Sequence, residues 1–139
     1  MMVINESTLK ETKFNSDQLE SLAKAFWALV KKYNLNNSEL KVVLGKDFDS
    51  KTIKKYRDSN SLPEGEPDLI LRAVHMLGIH WSLRVLYPHN PSLVYSWMKT
   101  QTPEFDNKSP IEILKESGYK SLMALMSIRN YLDYKRASA

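Results

Sequence analysis

Cysteine is absent from this chain of 139 residues, and glycine occurs only four times. Without thiols the protein can form no disulfide, no thiolate metal site and no cysteine nucleophile, and this composition fits a reducing compartment. The four glycines are scattered along the sequence, so it contains no Gly-rich loop of the kind that holds a nucleotide phosphate.

Long apolar runs are also missing. The most apolar stretch, residues 69–87, is interrupted by Arg72, His75, His80 and Arg84. A membrane span needs about 20 mostly apolar residues with few charges. The first six residues have no basic start and no apolar run, and they include an acid, so they are unlike a signal peptide. We expect residues 69–87 to form buried helix in a cytoplasmic protein without a membrane partner.

Patterns of catalytic and metal-binding residues are lacking as well. His75 and His80 do not share one helical face, and no set of carboxylates completes a metal site around them. No motif places a serine or aspartate nucleophile beside a general base. Glu112 and Glu116 share a helix face, but helix capping explains Glu112. The sequence therefore predicts neither an enzyme nor a protein with a metal or cofactor.

The chain does contain enough apolar material for a packed interior, at 42% of its residues, and it has a net charge of +4. Its length and composition fit one domain, or two small helical domains that share a core. The mild positive charge permits nucleic-acid binding without requiring it.

Apolar residues repeat with helical spacing along most of the chain. After a polar arm at residues 1–15, which we expect to be flexible, the apolar residues between Leu19 and Tyr33 follow one face of a helix. The same reasoning predicts helices near residues 37–44, 50–58, 67–77, 79–87, 91–99, 109–118 and 119–133. With no hairpin signal and few alternating β-branched residues, the predicted fold is all-α and compact.

Particular residues indicate where these helices begin and end. Asp17 with Glu20 is the expected capping pair of the first helix, and Ser50 is the expected cap of the helix at 50–58. Gly78 is expected to break the apolar stretch into two helices, because glycine has a low helix propensity.

The helix predicted at residues 50–58 carries basic residues suited to nucleic acid. In a helix-turn-helix, the second short helix lies in the major groove while buried apolar residues hold it rigid. Ile53 and Tyr56 would face inward, which leaves basic and small polar side chains outside. The candidate DNA-binding residues are Ser50, Lys51, Thr52, Lys54, Lys55 and Arg57. From these residues alone, a solvated basic face on an ordinary helix stays open as the alternative.

This segment resembles the Xre-like helix-turn-helix domains. Their pattern has two leucines with a glycine, a start rich in Ser or Thr, and an apolar residue three places before an aromatic one. In this chain the pattern is carried by Leu40, Leu44, Gly45, Ser50, Thr52, Ile53 and Tyr56. The turn is longer than usual, with Phe48 in its apolar position. Asp47 and Asp49 bring negative charge close to the basic helix.

An ordered set of residues marks the last third of the chain. A helix ends in a tryptophan, a proline-marked turn carries a phenylalanine, and a helix started by proline ends at a glycine. The set is Trp97, Thr102, Pro103, Phe105, Pro110, Leu114, Gly118, Leu125 and Ile128. Its order and spacing resemble the toxin-binding domain of bacterial Xre/MbcA/ParS-type antitoxins. Together with the preceding helices, the resemblance covers residues 17–134.

In that family the C-terminal domain binds a cognate toxin and blocks its active-site cleft. The toxin is often of the RES type, which depletes NAD, and a different toxin of ADP-ribose chemistry fits equally. The resemblance implies that the toxin-contacting residues are Tyr119, Arg129, Tyr131, Tyr134, Lys135 and Arg136. It implies that the core of the toxin-binding domain is built by Trp97, Pro103, Phe105, Pro110, Leu114 and Gly118.

These implications combine into one expectation. Residues 16–88 form a helix-turn-helix bundle that binds operator double-stranded DNA and represses its own operon, and residues 89–139 form a small helical toxin-binding domain. Because one helix-turn-helix reads only a half-site, we expect a homodimer or a toxin-bridged hetero-oligomer. Two alternatives stay open, namely a transcriptional regulator without a toxin, and an interaction module that no longer binds DNA.

Overall fold

The computed structural model describes residues 14–138, except for the side chain of Tyr119. The arm predicted at residues 1–15 therefore lies almost entirely outside the described part. Within that part the α-helices are α1 (Ser16–Lys32), α2 (Asn37–Leu44), α3 (Ser50–Asp58), α4 (Pro67–Leu86), α5 (Pro91–Ser96), α6 (Pro110–Ser117) and α7 (Ser121–Ser138). Short 3-10 helices occur at Trp97–Lys99, Pro103–Phe105 and Gly118–Lys120. The all-α prediction is confirmed.

The central element is α4, which contacts α1, α2, α5 and α7. One hydrophobic cluster extends from Phe26 in α1 to Leu132 in α7 and includes Met76, Ile79 and Leu83 of α4. Residues on both sides of position 88 therefore pack into the same core. The division into two functional domains at that position stays a prediction.

By length and composition alone, α4 is apolar enough to cross a membrane, with a mean hydropathy of 1.3. Half of that segment, 50%, is buried inside the protein. The buried residues of α4 include Arg72 and His75, each 4% exposed, as well as Leu69, Met76, Ile79 and Leu83. In this fold α4 thus has the place of a core helix, as the sequence predicts.

Polar contacts show that α4 and α7 run in the same direction. Arg72 Nη1 donates to Ser121 Oγ at 2.8 Å near the start of both helices. Ser82 Oγ donates to Asp133 Oδ1 at 2.9 Å further along. At the far end Lys135 Nζ donates to the Tyr87 hydroxyl at 3.3 Å. The two helices therefore remain paired along most of their length.

Two of the predicted helix caps are wrong, in each case by one or two residues. The cap of α1 is Asn15, whose Oδ1 accepts from the Gln18 amide at 2.8 Å while Gln18 Oε1 accepts from the Asn15 amide at 2.9 Å. The cap of α3 is Asp49, whose carboxylate accepts from the Thr52 amide at 2.7 Å. Both are strong capping residue types that immediately precede the first helical residue.

The last helix also differs from its prediction. It begins at Ser121 and reaches Ser138, whereas the sequence places it at 119–133. A 3-10 turn at Gly118–Lys120 precedes it. Gly118 has a φ of 55°, a left-handed conformation that glycine adopts without strain, so the chain turns there before the final helix starts.

The predicted break at Gly78 is wrong, because α4 continues through this residue to Leu86. Glycine lowers helix stability but keeps both backbone hydrogen-bonding groups, so a packed helix can contain it. A Cβ at position 78 would lie 2.5 Å from Cζ of Arg129. The Arg129 guanidinium occupies this space, where Nη1 is 3.3 Å from His75 Nδ1 and Nε is 3.6 Å from an Asp133 carboxylate oxygen.

We predict an interaction between Gly78→Ala and Arg129→Ala. Alanine in a helix is more stable than glycine by about 1 kcal/mol, but in the wild type the new methyl group displaces Arg129 from His75 and Asp133. Gly78→Ala should therefore stabilise the Arg129→Ala background by about 1 kcal/mol and the wild type by much less, or destabilise it. Urea unfolding of the four proteins measures this difference. Equal effects in both backgrounds would refute the steric explanation.

Candidate nucleic-acid and partner-binding surfaces

The basic helix α3 is held in place by its apolar side. Ile53 is 2% exposed, and Tyr56 is half-buried against Phe48, with ring centroids 6.4 Å apart. Phe48 lies in the connector between α2 and α3 and packs against the hydrophobic core, in the apolar turn position that the sequence indicates. These contacts hold the opposite side of α3 toward solvent.

That outer side presents a row of lysines. Lys51, Lys54 and Lys55 are exposed. Lys54 Nζ pairs with Asp58 at 3.1 Å, whereas Lys51 and Lys55 form no salt bridge with any residue in the range 14–138. An exposed pair such as Lys54–Asp58 contributes little to stability and separates easily. All of these lysines are therefore accessible to an anionic partner.

The other candidate DNA-binding residues lie at the edges of α3. Ser50 Oγ accepts from Asn37 Nδ2 at 3.3 Å, and Arg57 Nη2 donates to Asn37 Oδ1 at 3.4 Å. Arg57 Cζ also lies 5.7 Å from the centre of the Trp27 ring. The side chain of Thr52 is half-buried on the opposite edge. The structure therefore brings the three lysines together and turns Ser50 and Arg57 toward α1 and α2.

The nearby acidic residues both have partners. Asp47 pairs with Lys41 at 3.2 Å. Asp49 caps α3, and the hydrogen bonds from Thr52, that of the backbone amide first, hold the pKa of its carboxyl below the usual value. The Asp49 carboxylate consequently stabilises the N-terminus of α3. It also occupies a first-turn amide, so a DNA phosphate at α3 must rely on the lysines rather than on that amide.

The marker residues of the last third form an aromatic chain. The Trp97 and Phe105 rings meet edge to face at 6.1 Å, and Phe105 meets Tyr131 of α7 at 5.0 Å. Trp97 is 6% and Leu114 1% exposed, and Pro110 is buried. Phe105 is half-buried and packs against the core. This cluster connects the segment after α5 to the last helix.

Two residues expected in that core, Pro103 and Gly118, are exposed instead. Both shape the backbone. Pro103 starts a 3-10 turn, and Gly118 ends α6 with a positive φ. Turn residues lie at the surface because their backbone groups need water or local partners.

The residues expected to contact a toxin separate into two groups. Arg129 and Tyr131 have partners within the protein, namely His75 and Asp133 for Arg129 and Phe105 for Tyr131. Tyr134 is 75% exposed. Lys135 and Arg136 are half-buried, with Arg136 at 3.6 Å from Asp133. The expected contact through Tyr119 falls on a side chain that the structure does not describe.

Sequence reasoning missed an exposed apolar pair on α4. Trp81 and Val85 are 62% and 45% exposed, although they lie in the stretch 69–87 that was expected to form buried helix. They are four residues apart and therefore share one face. When Ile79 and Leu83 are placed toward the core in a helical projection, Trp81 and Val85 point outward. This projection could have revealed the exposed pair from the sequence.

Comparisons with known proteins do not assign this chain to a family. No protein-family model matches the sequence, and no curated protein matches it. In the part of the chain that is described, no group of three or more His, Cys, Asp or Glu residues could hold a metal ion.

We predict that acid destabilises the protein through His75. Burial first, and the nearby Arg129 second, lower the pKa of His75 from 6.5 to about 4 against an opposing effect of Asp133. Between these two pKa values the imidazole of His75 is protonated in the unfolded chain but neutral in the folded one. The contribution of His75 to the free energy of unfolding is therefore fully present above pH 6.5 and is lost as the pH drops toward 4. Urea unfolding at several pH values measures the loss, which should be smaller in His75→Gln.

The exposed His89, in the connector after α4, supplies the control. His89→Gln should leave the pH dependence as in the wild type. Some dependence should persist in His75→Gln, because burial, Arg84 and Lys32 also lower the pKa of His80. Identical pH profiles for His75→Gln and wild type would show that the buried imidazole is not responsible.

Proposed function

We propose that this chain is the antitoxin of a type II toxin–antitoxin pair, which binds duplex DNA through α3 and its toxin through the end of α7. The proposal rests on the resemblance of residues 17–134 to the Xre/MbcA/ParS-type antitoxins and on the two surfaces described above. The partner toxin would be of the RES type, which depletes NAD, or of related ADP-ribose chemistry.

The observation that carries the DNA-binding part is the outer face of α3. Lys51, Lys54 and Lys55 are exposed together on a short helix whose other side is anchored in the core by Ile53. A rigid, basic, short helix suits the major groove, and lysines there attract the phosphates on either side of it. Operator binding requires two such helices, which a homodimer or a toxin-bridged complex would supply.

The toxin-binding part rests on the end of α7. Tyr134 is 75% exposed, and Lys135 and Arg136 lie within two residues of it, so an aromatic side chain and two cations are close together. Tyrosine and arginine are enriched among the residues that dominate binding energy at protein interfaces. Arg129 and Tyr131 would support this surface from within rather than touch the toxin.

The internal partners of Arg129 and Tyr131 favour the second candidate function, a DNA-binding regulator without a toxin. If both residues serve packing, the surface left for a toxin is small. The two candidate functions make different predictions, because an antitoxin binds the product of a neighbouring gene and a regulator without a toxin does not.

We predict that Lys51→Ala/Lys55→Ala weakens binding to duplex DNA from the upstream region of the gene by at least tenfold, because each charge-assisted contact to DNA contributes about 1.5–3 kcal/mol. Fluorescence anisotropy at fixed salt measures the affinity. The matched control, Arg84→Ala/Lys115→Ala, removes the same charge from exposed residues elsewhere. Equal losses in the two variants would mean that net charge, not α3, determines binding.

We further predict that the chain forms a stable complex with the product of the adjacent gene and rescues growth when that product is toxic. Tyr134→Ala/Arg136→Ala should weaken the complex by at least tenfold, since interface hot spots contribute about 2 kcal/mol or more, and should restore growth arrest. Co-purification and a growth assay measure the two effects.

Val85→Ala/Arg84→Ala is the matched control for this experiment, with an exposed apolar residue and an arginine on α4. It should bind and rescue as the wild type does. A harmless neighbour that forms no complex would favour the regulator. A complex insensitive to Tyr134→Ala/Arg136→Ala would place the toxin on another surface.

A further inference from the structure

A cleft of about 620 Å³ lies between α1 and the end of α3. Lys24 and Lys31 of α1 and Arg57 of α3 line it, and no aspartate or glutamate does. Its volume lies in the range of small-molecule binding sites, about 300–1,000 Å³. The cleft is distinct from the outer lysine face of α3 and shares only its edge residue Arg57 with the candidate DNA-binding residues.

The two lysines of the cleft are available to a ligand. Lys24 and Lys31 are exposed, and neither forms a salt bridge with another residue in the range 14–138. They are seven residues apart, so they lie two helical turns from each other on one face of α1. Asp58, next to Arg57 in sequence, pairs with Lys54. Glu20, four residues before Lys24, lines a different groove.

The walls of the cleft are fixed by contacts within the protein. The indole of Trp27 donates from Nε1 to the Ser61 carbonyl at 2.8 Å, which fastens the chain after α3 to α1. Arg57 lies over the Trp27 ring at 5.7 Å. Because the guanidinium is already positioned, binding an anion there costs less side-chain conformational entropy than ordering a free arginine would.

Both helix ends that border the cleft are capped. Asn34 and Asn60 follow α1 and α3 with φ of 53° and 50°. The Leu35 amide donates to Val30 O and the Asn34 amide to Lys31 O, both at 3.1 Å. The same pattern follows α3, where Ser61 donates to Tyr56 O at 3.0 Å and Asn60 to Arg57 O at 3.1 Å.

These paired bonds form a Schellman motif at each helix end. Carbonyls at a helix C-terminus repel anions unless they have donors. Here the carbonyls nearest the cleft accept hydrogen bonds, so their repulsion is reduced. Asn34 and Asn60 also line the cleft, and an asparagine carboxamide can donate hydrogen bonds to an anion.

We propose that this cleft binds a phosphate group, supplied by the DNA backbone beside the segment that α3 contacts. The identification of DNA as the source of the phosphate rests on the proposed DNA-binding function, whereas the phosphate site itself does not depend on it. Three cations, two carboxamides and no acid match the chemistry of a phosphate. Such a contact would fix the register of the protein on the duplex without reading its sequence.

The first experiment measures binding of the full chain to several duplexes of unrelated sequence over a range of salt concentrations. Lys24→Ala/Lys31→Ala should lower the affinity for every duplex by about tenfold and make the slope of log affinity against log salt shallower by about 1. The charge-matched control Arg84→Ala/Lys115→Ala should keep the wild-type slope. Circular dichroism on heating checks that all variants remain folded.

The second experiment needs no DNA. Pyrophosphate is titrated into the isotope-labelled protein, and amide chemical shifts are followed. The wild type should show saturable shifts at Asn34, Arg57 and Asn60, and Lys24→Ala/Lys31→Ala should lose them. The charge-matched control should retain them.

The two experiments separate the inference from the proposed function. If the wild type does not bind duplex DNA but pyrophosphate shifts the cleft residues, the DNA-binding function fails and the cleft stands as a site for a free phosphate compound. If DNA binds but the lysine variant has the wild-type slope, the backbone contact is overturned. If pyrophosphate also leaves the cleft unshifted, the phosphate site is overturned altogether while DNA binding through α3 stands.

Discussion

A buried guanidinium joins three parts of this fold. Arg72 of α4 is 4% exposed. It donates to the Val43 carbonyl at the end of α2 at 3.1 Å, to Ser121 Oγ at the start of α7 at 2.8 Å, and to Asp68 of its own helix at 2.9 Å. A buried charge must be fully paired to be tolerated, so these groups have to stay together. Arg72 therefore links the central helix to the end of α2, which precedes the basic helix α3, and to the start of α7.

Arginines occupy the space beside a glycine twice in this molecule. The Arg72 guanidinium lies where a side chain at Gly45 would be, and the Arg129 guanidinium does the same at Gly78. One contact fixes the end of α2, and the other links α7 to His75 of α4. Charged side chains thus link both α2 and α7 to the central helix, beside an extensive hydrophobic cluster.

Helical periodicity was sufficient to predict the all-α fold and the inward side of α3, because burying Ile53 requires a regular apolar spacing that is visible in the sequence. It was not sufficient at Gly78, where the deciding fact is a guanidinium from fifty-one positions later in the chain. Long side chains such as Arg129 can point inward or outward from the same backbone position. The lysines of α3 could therefore be located in advance, whereas the internal role of Arg129 could not.

The glycine–arginine contacts also constrain how the chain can change over generations. At Gly78 a larger residue collides with Arg129, and loss of Arg129 first leaves empty space beside Gly78 and removes the guanidinium next to the buried His75. Neither substitution is neutral without the other, so positions 78 and 129 should be inherited as a pair among descendants of this sequence. Positions 45 and 72 should be inherited together for the same steric reason. These glycine–arginine pairs should therefore remain recognisable in related sequences whose surface residues have already diverged.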